Sequence, residues 1–397
     1  MARLLLKHRG ARQRNRLLYG VTVGVSANTL LRGQLAFMRE KGWDVHVACS
    51  PDTEFYIASD REGFSPHPLQ MSREVSPAGD IRSLFRWIVL LLRVRPSVTN
   101  VSTPKAALLG SIAAFLTRVP RRVYVVRGLR LEGSVGIERR ILSVTEYVTM
   151  LLSTDVVAVS HSLADSLHRE GLVPRGTKIA VIGSGSSNGV NIGAIRSIAT
   201  SEARDNVRST LGLNAEETLI GFLGRLNRDK GIDTLAAAAQ QPVLNNLADW
   251  SLLCVGSAED EDSLRKLESS GARLVHVPHT IEPWRYLAAM DVLCLPTRRE
   301  GFPNVVLEAG AVGMPVVTTD ATGAVDSTID GVTGYVVPTD NPTDLADRLA
   351  RLVESPELRV RLGAAGRARV EREFTQHAIW TGIHQIYTTP PPGRRSQ

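Results

Sequence analysis

Short runs of apolar, often β-branched residues alternate with longer stretches of helical periodicity along nearly the whole chain, the pattern of a doubly wound α/β protein. In the first half this pattern predicts strands over 17–23, 45–49, 97–101, 122–126, 156–159 and 178–182, with helices over 30–41, 81–94, 106–117 and 138–153. The alternation breaks at Gly183-Ser184-Gly185-Ser186-Ser187-Asn188-Gly189-Val190-Asn191, a dense turn segment that reads as a linker between domains. A polar helical stretch follows, and then a second series with strands expected over 219–223, 251–255, 273–277, 292–295, 315–318 and 334–337. Two successive series of similar size predict two Rossmann-like domains facing across a cleft. The expected division is an N-terminal domain over 1–195, a C-terminal domain over 196–370, and a helix with a tail over 371–397. From Thr388 that tail carries three successive prolines and two arginines and is expected to fray.

A length of 397 residues suits two domains, and 43% hydrophobic with 22% charged residues excludes a disordered or fibrous chain. Charge changes the picture more. Residues 1–195 carry 26 Lys/Arg against 14 Asp/Glu, a net of +12, whereas 196–397 carry 21 against 26, a net of −5. A basic half joined to an acidic one points to a polyanion or an anionic lipid surface facing the first domain; the alternative is an arginine-rich surface that only solubilises. Nucleic acid is not supported, because aromatics are 5% and no basic stretch is interleaved with them. Cys49, Cys254 and Cys294 lie far apart in apolar stretches, which reads as buried free thiols of a cytoplasmic protein. Met1 to Arg16 is basic, but no apolar run with a cleavage site follows it as in a signal peptide. The longest apolar segment, 87–92, lies between Arg86 and Arg93 and is too short to span a bilayer. Together with Leu84 and Phe85 it forms either a helix lying along a membrane or a core helix.

Two segments of the second half carry candidate chemistry. Gly221-Phe222-Leu223-Gly224-Arg225-Leu226-Asn227-Arg228-Asp229-Lys230-Gly231 closes an expected strand and opens a helix over 232–241. Glycines there let backbone approach a ligand, the helix start favours an anion, and Arg225 with Lys230 adds two cations suited to a diphosphate. Neither the dinucleotide fingerprint nor the Walker spacing is met, and a plain turn with solvated basic residues is the alternative. The second segment runs from Glu300 to Glu308. On one continuous helix the two carboxylates would stand about 80° apart around the axis and about 12 Å apart along it, too far to share a proton or metal. The Gly301-Phe302-Pro303 break favours Glu300 in a loop and Glu308 inside a helix that starts near Pro303. Backbone N–H groups of Gly301, Phe302 and Asn304 would then face phosphate or sugar oxygens. The alternative is a capped helix with one chance acidic residue. Asp260-Glu261-Asp262 has the form of a cation-binding signature, but it sits at an expected helix start where acids are favoured anyway. Ser160-His161-Ser162 reads as a helix N-cap.

Taken together, the Gly-Arg-Leu…Lys-Gly and Glu-x7-Glu segments resemble the donor site of GT-B glycosyltransferases of family GT4, the glycosyltransferase group 1 domain. Ala311-Val312-Gly313-Met314-Pro315-Val316-Val317 and Asp330-Gly331-Val332-Thr333-Gly334 match the same pattern. The likeness is strong over 219–340 and looser before it. It implies that Arg225 and Lys230 neutralise the donor diphosphate and that Glu300 contacts the hydroxyls of the transferred sugar. Gly224, Gly301, Phe302, Pro303 and Asn304 would line the donor, and Glu308 would hold the ribose. The Val277-Pro278-His279 turn would meet the base. On the acceptor side, 101–106, 127–132 and 183–190 resemble the bacterial branch that builds surface polysaccharides and lipid-linked oligosaccharides, although Asn191 stands where Asp is commoner. Many relatives carry His-Gly where this chain has Arg127-Gly128, so Arg127 and Arg130 are read as holders of an acceptor phosphate or as exposed strand-end arginines. Gly24 lies in the first strand-helix turn, where such enzymes place substrate groups. The implied reaction is retaining transfer of a hexose or N-acetylhexosamine from a UDP-sugar, without a cofactor or metal. The expected acceptor is a polyprenyl-diphosphate-linked saccharide at the inner membrane face. A UDP-sugar epimerase or a non-catalytic nucleotide-sugar binder on the same fold are the alternatives.

Overall fold

The computed structural model describes residues 15–72, 76–278, 280 and 282–389. A first sheet contains β1 (Arg16–Gly20), β2 (Asp44–Cys49), β3 (Ser65–Pro68), β4 (Val98–Val101), β5 (Arg121–Val126), β6 (Asp155–Ala158) and β7 (Ile179–Val181). Its strands are parallel in the order β3-β2-β1-β4-β5-β6-β7. A second sheet contains β8 (Thr218–Leu223), β9 (Trp250–Val255), β10 (Leu274–Val277), β11 (Val292–Leu295), β12 (Val316–Thr319) and β13 (Gly334–Val337). It is also parallel, in the order β10-β9-β8-β11-β12-β13. In each sheet the order reverses beside the first strand, between β1 and β4 and between β8 and β11. Such a switch point opens a crevice outside the strand ends, because successive helices leave for opposite faces there. The two expected Rossmann-like domains are therefore both present, each with its crevice at the C-terminal ends of its strands.

The strands are nearly all apolar because helices cover both faces, as parallel sheets require. β3 is the exception and was not expected from the sequence: Ser-Pro-His-Pro reads as a turn, yet at a sheet edge the missing proline donors cost nothing. The helix expected over 30–41 is two helices, Gly24–Leu30 and Gln34–Glu40, interrupted where Gly33 takes a φ of 80°. The buried Glu62 carboxylate accepts from the Gly33 and Ala36 amides and so supplies the cap that the second helix lacks locally. Cys49, Cys254 and Cys294 are buried and free.

The Pro77–Val94 helix packs its inner face into the core, the second of the two expectations made for the 87–92 segment. Trp87, Leu91 and Val94 are buried in a layer with Leu18 and Ala48, while Phe85 on the opposite side is 67% exposed. A fully buried side chain of that size stabilises by about 1.5–3 kcal/mol, so the helix is held by its inner face and its outer face is free to vary.

The 183–191 turn segment is the first of two crossings between domains, and the second lies against it. Val190 bridges Thr375, and the Trp380 indole donates to Asn188 Oδ1 at 2.7 Å. A side chain on Gly189 would meet the Gln376 backbone at 2.8 Å. The Gln376–Thr388 helix then packs on the first domain, where the Tyr387 hydroxyl donates to that of Tyr19 at 3.0 Å. Thr388 is thus helical, and the proline run beyond 389 lies outside the described residues.

Candidate functional site

The strand ends of the two sheets enclose a cavity of about 310 Å³. Arg225, Asp229, Lys230, Arg299, Glu300 and Gly301 line it from the second domain; Thr103, Tyr124, Arg127, Gly128, Arg130 and Glu146 line it from the first. Its walls touch at one rim. A Cβ on Gly301 would lie 1.9 Å from the Arg127 carbonyl oxygen, so only glycine permits that approach. Beside it, the Ser162 amide donates to Asp326 and the Thr322 hydroxyl donates to Glu132 at 2.9 Å.

After β8, the chain turns at Gly224, whose φ is 155°, and passes through a short 3-10 turn, Arg228–Lys230. Asn227 caps that turn by accepting from the Lys230 amide at 3.1 Å. Gly231, with φ 73°, then starts the Ile232–Ala239 helix; a Cβ there would lie 1.8 Å from the Pro296 carbonyl oxygen, so the turns after β8 and β11 are pressed together. This contact brings the Lys230 ammonium into an ion pair with Glu300, seventy positions away in the chain. Asp229 pairs with Arg299 in the same way. Arg225 is 61% exposed and pairs with Glu259 at 3.0 Å, a contact solvent weakens and an anion can replace.

Beyond Glu300 the helix Asn304–Ala311 begins with Pro303 as its N-cap residue and no side-chain cap. Its first amides are therefore available to an anion, and the Asn304 Oδ1 beside them is buried without a partner among the described residues. Glu308 lies within this helix, where burial pushes its carboxyl above the usual range, opposed by a hydrogen bond from Trp284. Trp284 opens the helix that follows β10, so Glu308 is directed towards the loop after that strand. His279, expected in that loop, lies outside the described residues. The Phe302 ring is turned into the core against Phe374, with centroids 5.5 Å apart, so its backbone is what remains for a ligand.

On the opposite wall Arg130 is exposed and Arg127 is not a free strand-end cation. Arg127 donates to the Ser187 carbonyl at 2.8 Å, and burial lowers its guanidinium to about 10, leaving it charged at neutral pH. Gly24 has a structural duty: its amide donates to Asp52 at 2.9 Å, and a Cβ would strike that carboxylate. Asp260 caps the helix Glu261–Glu268, and Ser160 caps His161–Arg169, as their positions suggested. Sequence reasoning passed over Tyr124 and Glu146, two buried groups of the cavity wall, and the unusual backbone of Thr103, with φ 70°. For Thr103 a partial signal existed in the following Pro104, which favours extended backbone but at negative φ. For Glu146 none did, since an acid in an amphipathic helix reads as a solvated one.

Comparison with known proteins gives the family and the fold. The family model for glycosyl transferases group 1 matches residues 203–369, and that for the glycosyl transferase 4-like domain matches 27–185. The capsular polysaccharide biosynthesis glycosyltransferase CapM of Staphylococcus aureus is 34% identical over 378 residues, covering 94% of this chain and 97% of the relative. An Escherichia coli UDP-Gal:alpha-D-GlcNAc-diphosphoundecaprenol alpha-1,3-galactosyltransferase is 24% identical over 328 residues, 80% of this chain and 82% of the relative. Among solved structures, Anabaena HepE in complex with UDP and glucose superposes with a TM-score of 0.77 at 18% identity, covering 94% of this chain and 99% of that one.

Proposed function

The chain belongs to the group 1 glycosyltransferases, and on that premise we propose that it moves a hexose or N-acetylhexosamine from a UDP-sugar to a hydroxyl of a lipid-linked saccharide, with retention, during surface-polysaccharide synthesis. The observation that carries the reading is the Lys230–Glu300 pair at the switch point of the second sheet, facing the first domain across the cavity. It sets a cation suited to a diphosphate beside a carboxylate suited to sugar hydroxyls. In this reading Lys230, Arg225 and the first amides of the Asn304–Ala311 helix take up the charge that grows on the leaving diphosphate. Glu300 orients the sugar, Glu308 holds the ribose, and Arg127 with Arg130 faces the acceptor's phosphate. The protein's cations stand in for a divalent ion, so chelator leaves turnover unchanged. UDP as the nucleotude and a diphosphate-lipid as the acceptor are supported by what HepE was solved with and by the name of the E. coli relative.

The test is release of nucleoside diphosphate from a panel of UDP-, GDP- and ADP-sugars, followed by NMR of the new anomeric centre. Preference for a GDP-sugar would overturn the base, and an inverted product would overturn retention.

The same reading places the first domain on the anionic inner face of the membrane. No helix among the described residues is long and apolar enough to cross a membrane. Instead, Ile81, Phe85, Val89 and Leu92 are exposed along one side of the Pro77–Val94 helix. Ile137, Ile141, Val144 and Leu151 form a second exposed stripe on Gly136–Leu151, with Ile137 74% exposed. Spacings of three, four and seven put each set on one helix face, and Arg82, Arg86, Arg93, Arg139 and Arg140 belong to the same two helices. Flotation with anionic and neutral vesicles tests this; equal recovery from both counts against it.

A further inference from the structure

Directly across the cavity from Lys230 and Glu300 lies a polar pair that the donor chemistry leaves unused. Glu146 sits in the third turn of the Gly136–Leu151 helix, 7% exposed, and its Oε2 accepts from the Tyr124 hydroxyl at 2.6 Å. Tyr124, on β5, is 3% exposed. Both nonetheless line the cavity. Tyr124 thus holds Oε2, and the carboxyl is fixed in place on the cavity wall.

Its surroundings are held with unusual firmness. Thr103, on the same wall, has φ 70° and ψ 134°, a backbone conformation that a β-branched residue rarely adopts. The Thr22 amide donates to the Thr103 hydroxyl at 3.0 Å, and the two hydroxyls are 2.8 Å apart. Strain of this kind persists where the surroundings over-determine it and collects at ligand sites. Burial also pushes the Glu146 carboxyl up to about 7 against the opposing hydrogen bond from Tyr124. Near neutral pH the group therefore both accepts and donates, which matches a sugar hydroxyl, itself donor and acceptor.

We propose that Glu146, seated by Tyr124, binds a ring hydroxyl of the acceptor saccharide and sets which acceptor enters opposite Lys230 and Glu300. This rests on the transferase reading above, and it adds a specificity-determining residue in the first domain. A site built to pair with a hydroxyl rejects the analogue that lacks it, because the protein group is then stranded.

The whole protein is tested with its preferred nucleotide sugar in two assays. One is nucleoside diphosphate release to water; the other is transfer onto undecaprenyl-diphospho-N-acetylglucosamine and its ring-deoxy analogues. Glu146→Gln preserves shape and an oxygen for Tyr124. The expected result is release to water within twofold of wild type and an acceptor KM at least tenfold higher. One deoxy analogue is at least tenfold poorer for wild type, yet equal to the parent acceptor for Glu146→Gln. Tyr124→Phe, which leaves the carboxyl in place, shifts KM in the same direction by less. An unchanged acceptor KM, an equal penalty on every analogue, or a parallel loss of release to water overturns the proposal. A wild-type protein that releases no nucleoside diphosphate from any donor sinks the transferase reading itself, whereas normal wild-type turnover with an indifferent Glu146→Gln sinks only the acceptor assignment.

Discussion

The two walls of the cavity are built by opposite means. The second domain presents ion pairs on turns, with Arg225 on Glu259 and Asp229 on Arg299 towards solvent and Lys230 on Glu300 partly shielded. The first domain presents groups sunk into secondary structure: Tyr124 within a strand, Glu146 within a helix and Arg127 at a strand end, each substantially desolvated. Turns after parallel strands suit a constant ligand, because backbone amides and flexible cations bind a diphosphate whatever sugar it carries. Buried side chains in fixed rotamers suit a ligand that must be told from its isomers, because a stranded polar group is expensive.

Breaking the turn wall should have the largest effect. Lys230→Ala or Glu300→Gln is expected to lower both transfer and release to water by about 10²–10³-fold, the usual scale for losing a group that meets transition-state charge. Steady-state rates check it; a loss confined to transfer would move Lys230 and Glu300 to the acceptor side. Gly301→Ala comes next, because its Cβ cannot occupy the space beside the Arg127 carbonyl without parting the walls. A fall in turnover of about tenfold, since small displacements cost up to about 10²-fold, is expected with little change in melting temperature. Wild-type turnover would show that the walls need not touch.

The buried wall should reveal itself through pH. The Glu146 carboxyl titrates near 7 when folded against an ordinary 4.5, so its contribution is fully present below the unfolded value and is lost as pH rises through 7. The loss amounts to up to about 3 kcal/mol between pH 4 and 8, at about 1.4 kcal/mol per unit. Urea unfolding of wild type and Glu146→Gln at those two pH values measures it, and parallel curves would contradict it. Smallest should be Arg225→Ala. Its exposure and its competing partner Glu259 limit the effect to a several-fold rise in donor KM, read from initial rates.

How much of this was legible follows the same division. The segments 221–231 and 300–308 are continuous in sequence, and their glycines and proline declare the turns without reference to anything distant. Gly33 was harder, since one glycine inside a helical pattern does not say whether the helix continues. β3 was illegible because its two prolines forbid a central strand and are silent about an edge. Arg127 looked exposed because the strand end it occupies is covered by Ser187, sixty residues on. The Pro77–Val94 helix showed its apolar residues but not which of them face Trp87's layer.

By itself the order of residues determined the alternation of strands and helices, hence two parallel α/β domains, and the local turns that carry Arg225 and Lys230. These are short-range properties, set by periodicity and by backbone chemistry within a dozen positions. Only the tertiary structure decided that Lys230 meets Glu300, that Glu146 leaves solvent to join Tyr124, and that the last helix returns to the first domain. Desolvation is the reason: whether a charge stays in water or enters a wall depends on what packs over it, and that partner lies far away along the chain.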